Sequence, residues 1–302
     1  MAKHSFKEWM TTIRPWAFAA SAMPIVIISS YLTWKGMETN LWMALYALIN
    51  IFLFHSASIA WTDLRDYKHG ANKFDIYCNH SLESGSFTKK EMGTLGTILM
   101  IFAIIMGLGM LFLCNNYYGE FMPMLFIELA GLFCILLYPT AKYIGLGDLI
   151  IFISYAILPT LGTSFAITGI IDWNVLLLAI PLGLFSDSVT HTNNTRDMLT
   201  DKEANLKTLP MLLGHKKSAI WYFIEIMVPY VWVGVLSWFG IFSKWTVIIF
   251  ITFPVAISCG RMMMKSLRGG LEVIASLDKD TAHLELLYCI FLTLGFIIGI
   301  FI

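Results

Sequence analysis

The sequence predicts an all-α polytopic membrane protein, nine transmembrane helices in a bundle with cytoplasmic cap loops, and three observations predict it. Hydrophobic residues make up 58% of the 302-residue chain and charged residues only 13%, with a mean hydropathy of +0.72. A soluble domain of this length does not reach such values. Apolar runs of about 18–23 residues, long enough to cross a hydrocarbon core, recur nine times. The remaining charges gather into a few polar stretches between those runs.

The N-terminal stretch MAKHSFKEWMTTIRPW is amphipathic and carries Trp9, Arg14 and Trp16. It lacks a signal peptide's order of charged, apolar and small-residue regions, so an interfacial helix leading into the first span is expected. Spans are expected at 15–34, 40–61, 93–114, 119–138, 148–168, 173–192, 219–239, 245–263 and 283–302. Pro159 and Pro181 fall inside the fifth and sixth, where neighbouring helices can satisfy the freed carbonyls. Long polar loops follow spans 2, 6 and 8, the first two at 62–92 and 190–217. The whole chain, 1–302, is expected to form one integral-membrane domain.

Charge placement orients the bundle. Eighteen of the 20 basic residues precede span 1 or follow spans 2, 4, 6 and 8, leaving Lys35 and Lys244 on the other side. The positive-inside rule then places the N-terminus and both acidic loops in the cytoplasm, with a bacterial cytoplasmic membrane as the expected location. The 20 basic and 20 acidic residues cancel, and no nucleic-acid partner is expected; membrane lipid is. The five cysteines are scattered without paired spacing, so neither a disulfide framework nor a zinc site is implied.

Residues 190–217, THTNNTRDMLTDKEANLKTLPMLLGHKK, form a polar island. Asp197 and Asp201 are spaced i,i+4 and share a helical face, Asn193 lies one turn back, and Arg196, Lys202 and Lys207 flank them. Converging carboxylates among basic groups suit an anion held through a divalent cation. Hard oxygen ligands favour Mg²⁺, which binds through one or two carboxylates and the substrate's phosphate oxygens. The earlier loop, WTDLRDYKHGANKFD, offers Asp63 and Asp66 at i,i+3, and Gly70 permits a turn that could return Asn72 and Asp75 toward them. Together the two loops suggest the halves of a two-cation diphosphate site.

DxxDYKxG in one loop and NNxRDxxxDxxxxxKTL in another, with nine spans, resemble the UbiA-type intramembrane prenyltransferases. The pattern is most similar to the branch that prenylates 1,4-dihydroxy-2-naphthoate in menaquinone synthesis. The chain departs from the family pattern at Thr62, where an Asn is usual, at Asn72, where an Asp is usual, and at His80, where a basic residue is usual. Ala204, Asn205 and Leu206 stand where a glycine usually precedes the Lys-Thr-Leu. The resemblance implies two Mg²⁺ ions held by Asp63, Asp66 and Asn72 on one side and Asn193, Asp197 and Asp201 on the other. Asp66, Asp197 and Asp201 would be the catalytic carboxylates. Arg196, Lys142, Lys207 and Lys68 would bind the polyprenyl diphosphate, with Tyr138 and Asp148 beside them. Asp187, within two turns of Asn193, would lie along the acceptor or prenyl cavity. The implied reaction ionises the allylic diphosphate and joins the prenyl group to an aromatic ring.

Other readings stay open: a different acceptor (4-hydroxybenzoate, homogentisate, a porphyrin or a lipid headgroup), a paralogue that binds prenyl diphosphate without efficient chemistry, or an ion-coupled secondary transporter. The last would give Glu128, Asp187 and Glu225 a role in the membrane. His55 and His191 are expected as structural polar contacts at helix ends.

Overall fold

Lack of helix breakers sets the longest early element. From Leu41 to His69 the sequence contains neither glycine nor proline, and α3 (Leu41–His69) runs unbroken past the expected end of its span at 61. Asp63 and Asp66 therefore sit on the last turns of a transmembrane helix. The computed structural model describes residues 4–14, 17–69, 81–203 and 206–302. Asn72, Asp75 and His80 lie outside the described residues.

Before α3 come α1 (Phe6–Ile13) and α2 (Phe18–Trp34). Ser5 and Glu8 close a capping box on α1, and Arg14 ends it in the left-handed region at φ 51°. After α3 come α4 (Lys89–Tyr118), started by a Thr88–Glu91 capping box, and α5 (Met122–Ala141). The fifth expected span is one rod of three parts: α6 (Gly147–Phe152), a π turn (Ile153–Ile157) and α7 (Leu158–Thr168). The π turn stands just before Pro159, whose ring nitrogen cannot donate to the preceding turn. The sixth span, α8 (Leu176–Arg196), is followed by short α9 (Met198–Glu203) and α10 (Leu209–Leu213). Then come α11 (His215–Trp238), a 3₁₀ segment (Lys244–Thr252) continued by α12 (Phe253–Gly269), and α13 (Leu277–Phe301).

Among the described residues eight helical stretches are each long and apolar enough to cross a membrane, and α1 with α2 make a ninth candidate. The expected loop after the eighth span is mostly helix: α12 reaches Gly269 and α13 begins at Leu277, six residues before its expected start.

Aromatic residues of four helices, among them Tyr31, Phe185, Tyr230, Tyr288 and Phe296, pack into the main core. Their hydroxyls are satisfied inside it: Tyr230 meets Thr252 at 2.6 Å and Tyr288 donates to the Pro229 carbonyl at 3.0 Å. Phe102, Ile105, Phe112, Phe126 and Phe133 on α4 and α5 point outward, as bilayer-facing residues do. On the face opposite the acidic motifs, Lys35 and Asp172 form an ion pair at 2.6 Å. Burial pushes the Asp172 carboxyl up, but hydrogen bonds from Lys35 and Asn174 outweigh it and hold the group below the usual carboxylate range.

The remaining space between α2, α3, α5, the α6–α7 rod, α8 and α13 is a cavity of about 1240 Å³. That exceeds the volume of an ordinary small-molecule pocket.

Candidate active site

Charged residues crowd one end of this cavity, where α3, α5 and α8 end and α13 begins. Asp63 and Asp66, each 7% exposed, come from the last turns of α3. Arg14, turned by its left-handed backbone, donates from Nη2 to both Asp63 oxygens at 2.9 Å. Lys142, in the 3₁₀ turn after α5, donates to Asp66 Oδ2 at 2.7 Å. The other Asp66 oxygen is buried without a hydrogen-bond partner. Carboxylates this deep are costly unless paired, and each has acquired one cation.

The facing wall comes from the end of α8 and from α9. Helical geometry continues through the motif: Asp197 N–H donates to the Asn193 carbonyl at 2.9 Å, and Asp201 N–H to the Asp197 carbonyl at 2.8 Å. Asn193, Asp197 and Asp201 thus stand one above the other, and all three line the cavity. Arg196 grips Asp197 with Nε and Nη2, both at 2.7 Å, in the two-pronged geometry that only a guanidinium provides. Its Nη1 reaches Asp278 at the start of α13, at 3.3 Å.

Tyr138 and Lys142 also lie on the cavity wall. With Asp148, Thr190, Asn194 and Asp201 they enclose a side pocket of about 60 Å³ that shares all of these but Asp148 with the main cavity.

Three expected binding residues lie elsewhere. Lys68 is exposed and not on the wall, because two residues past Asp66 the helix has turned about 200° away from the cavity. Lys207 is exposed beyond the cavity, in the extended link before α10, while its neighbour Leu206 turns inward to line the site. Asp187 is buried but stands behind the wall, which its neighbour Ser186 occupies.

Sequence reasoning missed the α13 contribution. Asp278, Ala282, Glu285 and Leu286 all line the cavity, at the i, i+4, i+7, i+8 spacing of one helical face. That periodicity is legible in LDKDTAHLELL, but the charges of the stretch point to a loop. Arg14 as the partner of Asp63 was also missed, since a residue 49 positions away leaves no local signal. Glu128 lines the cavity as well, with Gly107 of α4 packed close behind its carboxylate.

Among the described residues no three His, Cys, Asp or Glu side chains converge closely enough to hold a metal ion by themselves. The donors come instead as pairs on the wall of one cavity, Asp63 with Asp66 and Asp197 with Asp201. Paired carboxylates and an amide, ringed by cations, fit a divalent ion that arrives with an anion supplying the other oxygens.

The fold and site together define an intramembrane helix bundle with a charged pole at one end of a large cavity. Residues 22–269 match the model of the UbiA prenyltransferase family, and the chain belongs to that family. It is 29% identical over 266 residues, 83% of its length and 69% of the relative's, to the UbiA prenyltransferase domain-containing protein 1 homolog of Drosophila melanogaster. The Homo sapiens UbiA prenyltransferase domain-containing protein 1 is 26% identical over 296 residues, covering 97% of this chain and 84% of the relative. A UbiA homolog from Aeropyrum pernix K1 shares the fold, with a TM-score of 0.70 at 18% identity over 93% of this chain and 97% of that one. A UbiA homolog from Archaeoglobus fulgidus, solved bound to GPP and Mg²⁺, aligns with a TM-score of 0.60 at 12% identity over 94% of this chain and 98% of that one.

Proposed function

We propose that this protein transfers a polyprenyl group from a polyprenyl diphosphate to an aromatic acceptor, acting as one unit over residues 1–302. The observation that carries this reading is the polarity of the cavity: two acidic pairs with their cations at one end, and an apolar interior behind them. The Archaeoglobus homolog with GPP and Mg²⁺ supports the same assignment of ligands.

Asp63, Asp66, Asn193, Asp197 and Asp201 would hold Mg²⁺ together with the diphosphate oxygens; the family-like position Asn72 completes the set in the sequence reading. When bound, Mg²⁺ supplies Lewis-acid neutralisation of the departing diphosphate. Lys142 and Arg196, already at the pole, neutralise further charge on the leaving group. The surrounding helices enclose the cavity and limit the water that can reach the allylic cation before the acceptor ring attacks it. The C–O bond breaks first, its electron pair leaving with the diphosphate; the ring carbon then bonds the allylic cation, and aromaticity returns as that carbon loses its substituent, the carboxylate as CO₂ in dihydroxynaphthoate.

1,4-Dihydroxy-2-naphthoate is the proposed acceptor, favoured by the Asn193–Asn194 pair before Arg196; the names of the curated relatives specify no acceptor. The pole is proposed to face the cytoplasm, as the basic residues on that side favour. A bacterial cytoplasmic membrane follows from the sequence reading alone, and the Drosophila and human relatives are animal proteins.

The test is a membrane assay with radiolabelled prenyl diphosphate, with and without chelator, comparing dihydroxynaphthoate with 4-hydroxybenzoate. A chelator-sensitive lipophilic product with the naphthoate alone is expected. Transfer at near wild-type rate by a variant carrying Asp197→Ala and Asp201→Ala would sink the assignment.

Thr62 favours a second reading, a protein that binds prenyl diphosphate with little turnover. Its hydroxyl is buried at the cavity wall without a partner, where an amide would reach further. Diphosphate binding without product from any acceptor, cured by Thr62→Asn, is the outcome that reading requires.

A further inference from the structure

The cavity has a second polar level, below the carboxylate–cation pairs. His55, Tyr155, Ser186 and Glu285 all stand on its wall. Helix rise sets their depth: Glu285 follows Asp278 on α13 by seven residues, about 10 Å. Tyr155 follows Asp148 by seven and His55 precedes Asp63 by eight, again about 10–12 Å from the charged end. The four groups therefore form a belt where a prenyl chain leaves its diphosphate, the position at which an attacking ring has to sit.

Glu285 is the unusual member. It is 4% exposed, and its Oε1 accepts a hydrogen bond from Ser186 Oγ at 2.8 Å. Among the described residues it has that one hydrogen-bond partner and no cation, unlike Asp63, Asp66 and Asp197. A carboxylate at such depth without a counter-ion is too costly to serve as packing, where leucine would stabilise more. Across the belt, His55 is fixed by Ser21 Oγ at 3.0 Å from Nδ1, and its ring meets that of Tyr155 edge-on at 5.2 Å. A flat ligand thus finds two oriented aromatic rings and one hydrogen-bond acceptor.

We propose that this belt is the acceptor subsite and that Glu285, held by Ser186, positions the acceptor by taking a hydrogen bond from one of its ring hydroxyls. The inference rests on the prenyl-transfer reading and specifies which feature of the acceptor is recognised. A hydroxyl donating to a carboxylate pushes electron density onto the ring carbons beside it, where the allylic cation bonds. Glu285 is a specificity-determining residue in this assignment.

The experiment measures binding, with no turnover required. Tryptophan quenching of the detergent-solubilised full chain is titrated with 1,4-dihydroxynaphthalene under reductant and with its dimethyl ether. Wild type, Glu285→Gln and Glu285→Leu are compared, and inorganic diphosphate with Mg²⁺ is titrated separately into each. Loss of a hydrogen bond to a charged group is expected to weaken the diol about tenfold or more in Glu285→Leu, and several-fold in the isosteric Glu285→Gln. The ether, which cannot donate, should bind all three alike, and diphosphate binding should not move. Equal diol affinity in wild type and Glu285→Gln, or equal losses for diol and ether, overturns the proposal. Failure of the prenyl-transfer reading shows separately, as absence of labelled product from the wild type.

Discussion

Arg196 illustrates how much of the pole depends on side-chain shape as well as charge. Its planar fork satisfies Asp197 through two parallel hydrogen bonds while its third nitrogen reaches Asp278. A lysine keeps the charge but offers no fork. Arg196→Lys is therefore expected to fold normally and to lower kcat/KM for prenyl diphosphate roughly tenfold or more, read in the labelled-substrate assay. Lys142 presents a sharper case, because Asp66 is almost fully covered. Lys142→Met leaves a buried carboxylate with a lost partner, and a stability loss of about 3 kcal/mol or more is expected in a detergent melt. Asp66→Asn with Lys142→Met in one chain should recover much of that stability without recovering activity.

Helices decide which of these residues can meet, and they also decide what the sequence could reveal. Span positions were legible because a long apolar run has few alternatives in a chain of this composition. Asp197 and Asp201 were legible as a pair because i,i+4 spacing survives into the structure as a helical register. The Arg14–Asp63 pair and the face of α13 were not, the first because it spans distant elements, the second because charges in LDKDTAHLELL mask an apolar helix start. Close helix approach was equally invisible. A Cβ on Gly295 would stand 2.5 Å from Thr246 Cα and 2.8 Å from the Trp245 carbonyl, both backbone atoms that cannot swing aside. Gly295→Ala is accordingly expected to separate α13 from the 3₁₀ segment and to cost about 1–3 kcal/mol, measured by thermal unfolding in detergent. On the opposite membrane face the Lys35–Asp172 pair links the end of α2 to the turn before α8. Asp172 titrates below the ordinary aspartate value of 3.8, so its contribution is present above that pH and lost as pH falls through the lower folded-state value. The pair is partly open to solvent, and Asp172→Asn should remove about 1 kcal/mol or less at pH 7 and nothing once the pH lies well below the lowered folded-state value.

At the scale of the whole molecule, the pole and the Lys35–Asp172 pair mark opposite membrane faces, which makes orientation measurable. Single cysteines at Lys90 and Lys35, in a chain whose own cysteines are replaced by serine, should react with an impermeant maleimide from opposite sides of sealed vesicles. Labelling of both from one side contradicts the nine-span arrangement. Arg14, Lys142 and Arg196 sit against the carboxylates. On the proposed reading the headgroup end would work as an ion exchanger: a divalent ion held by the aspartates would release Arg14, Lys142 and Arg196 to the phosphate oxygens that came with it. Net charge at the pole changes little between empty and loaded forms, so neither half of the ligand gains much by arriving alone. Calorimetry should register weak heats for Mg²⁺ or inorganic diphosphate added singly and a large one for the two together. Loading and unloading would then be a swap of partners, with no aspartate of the pole left bare.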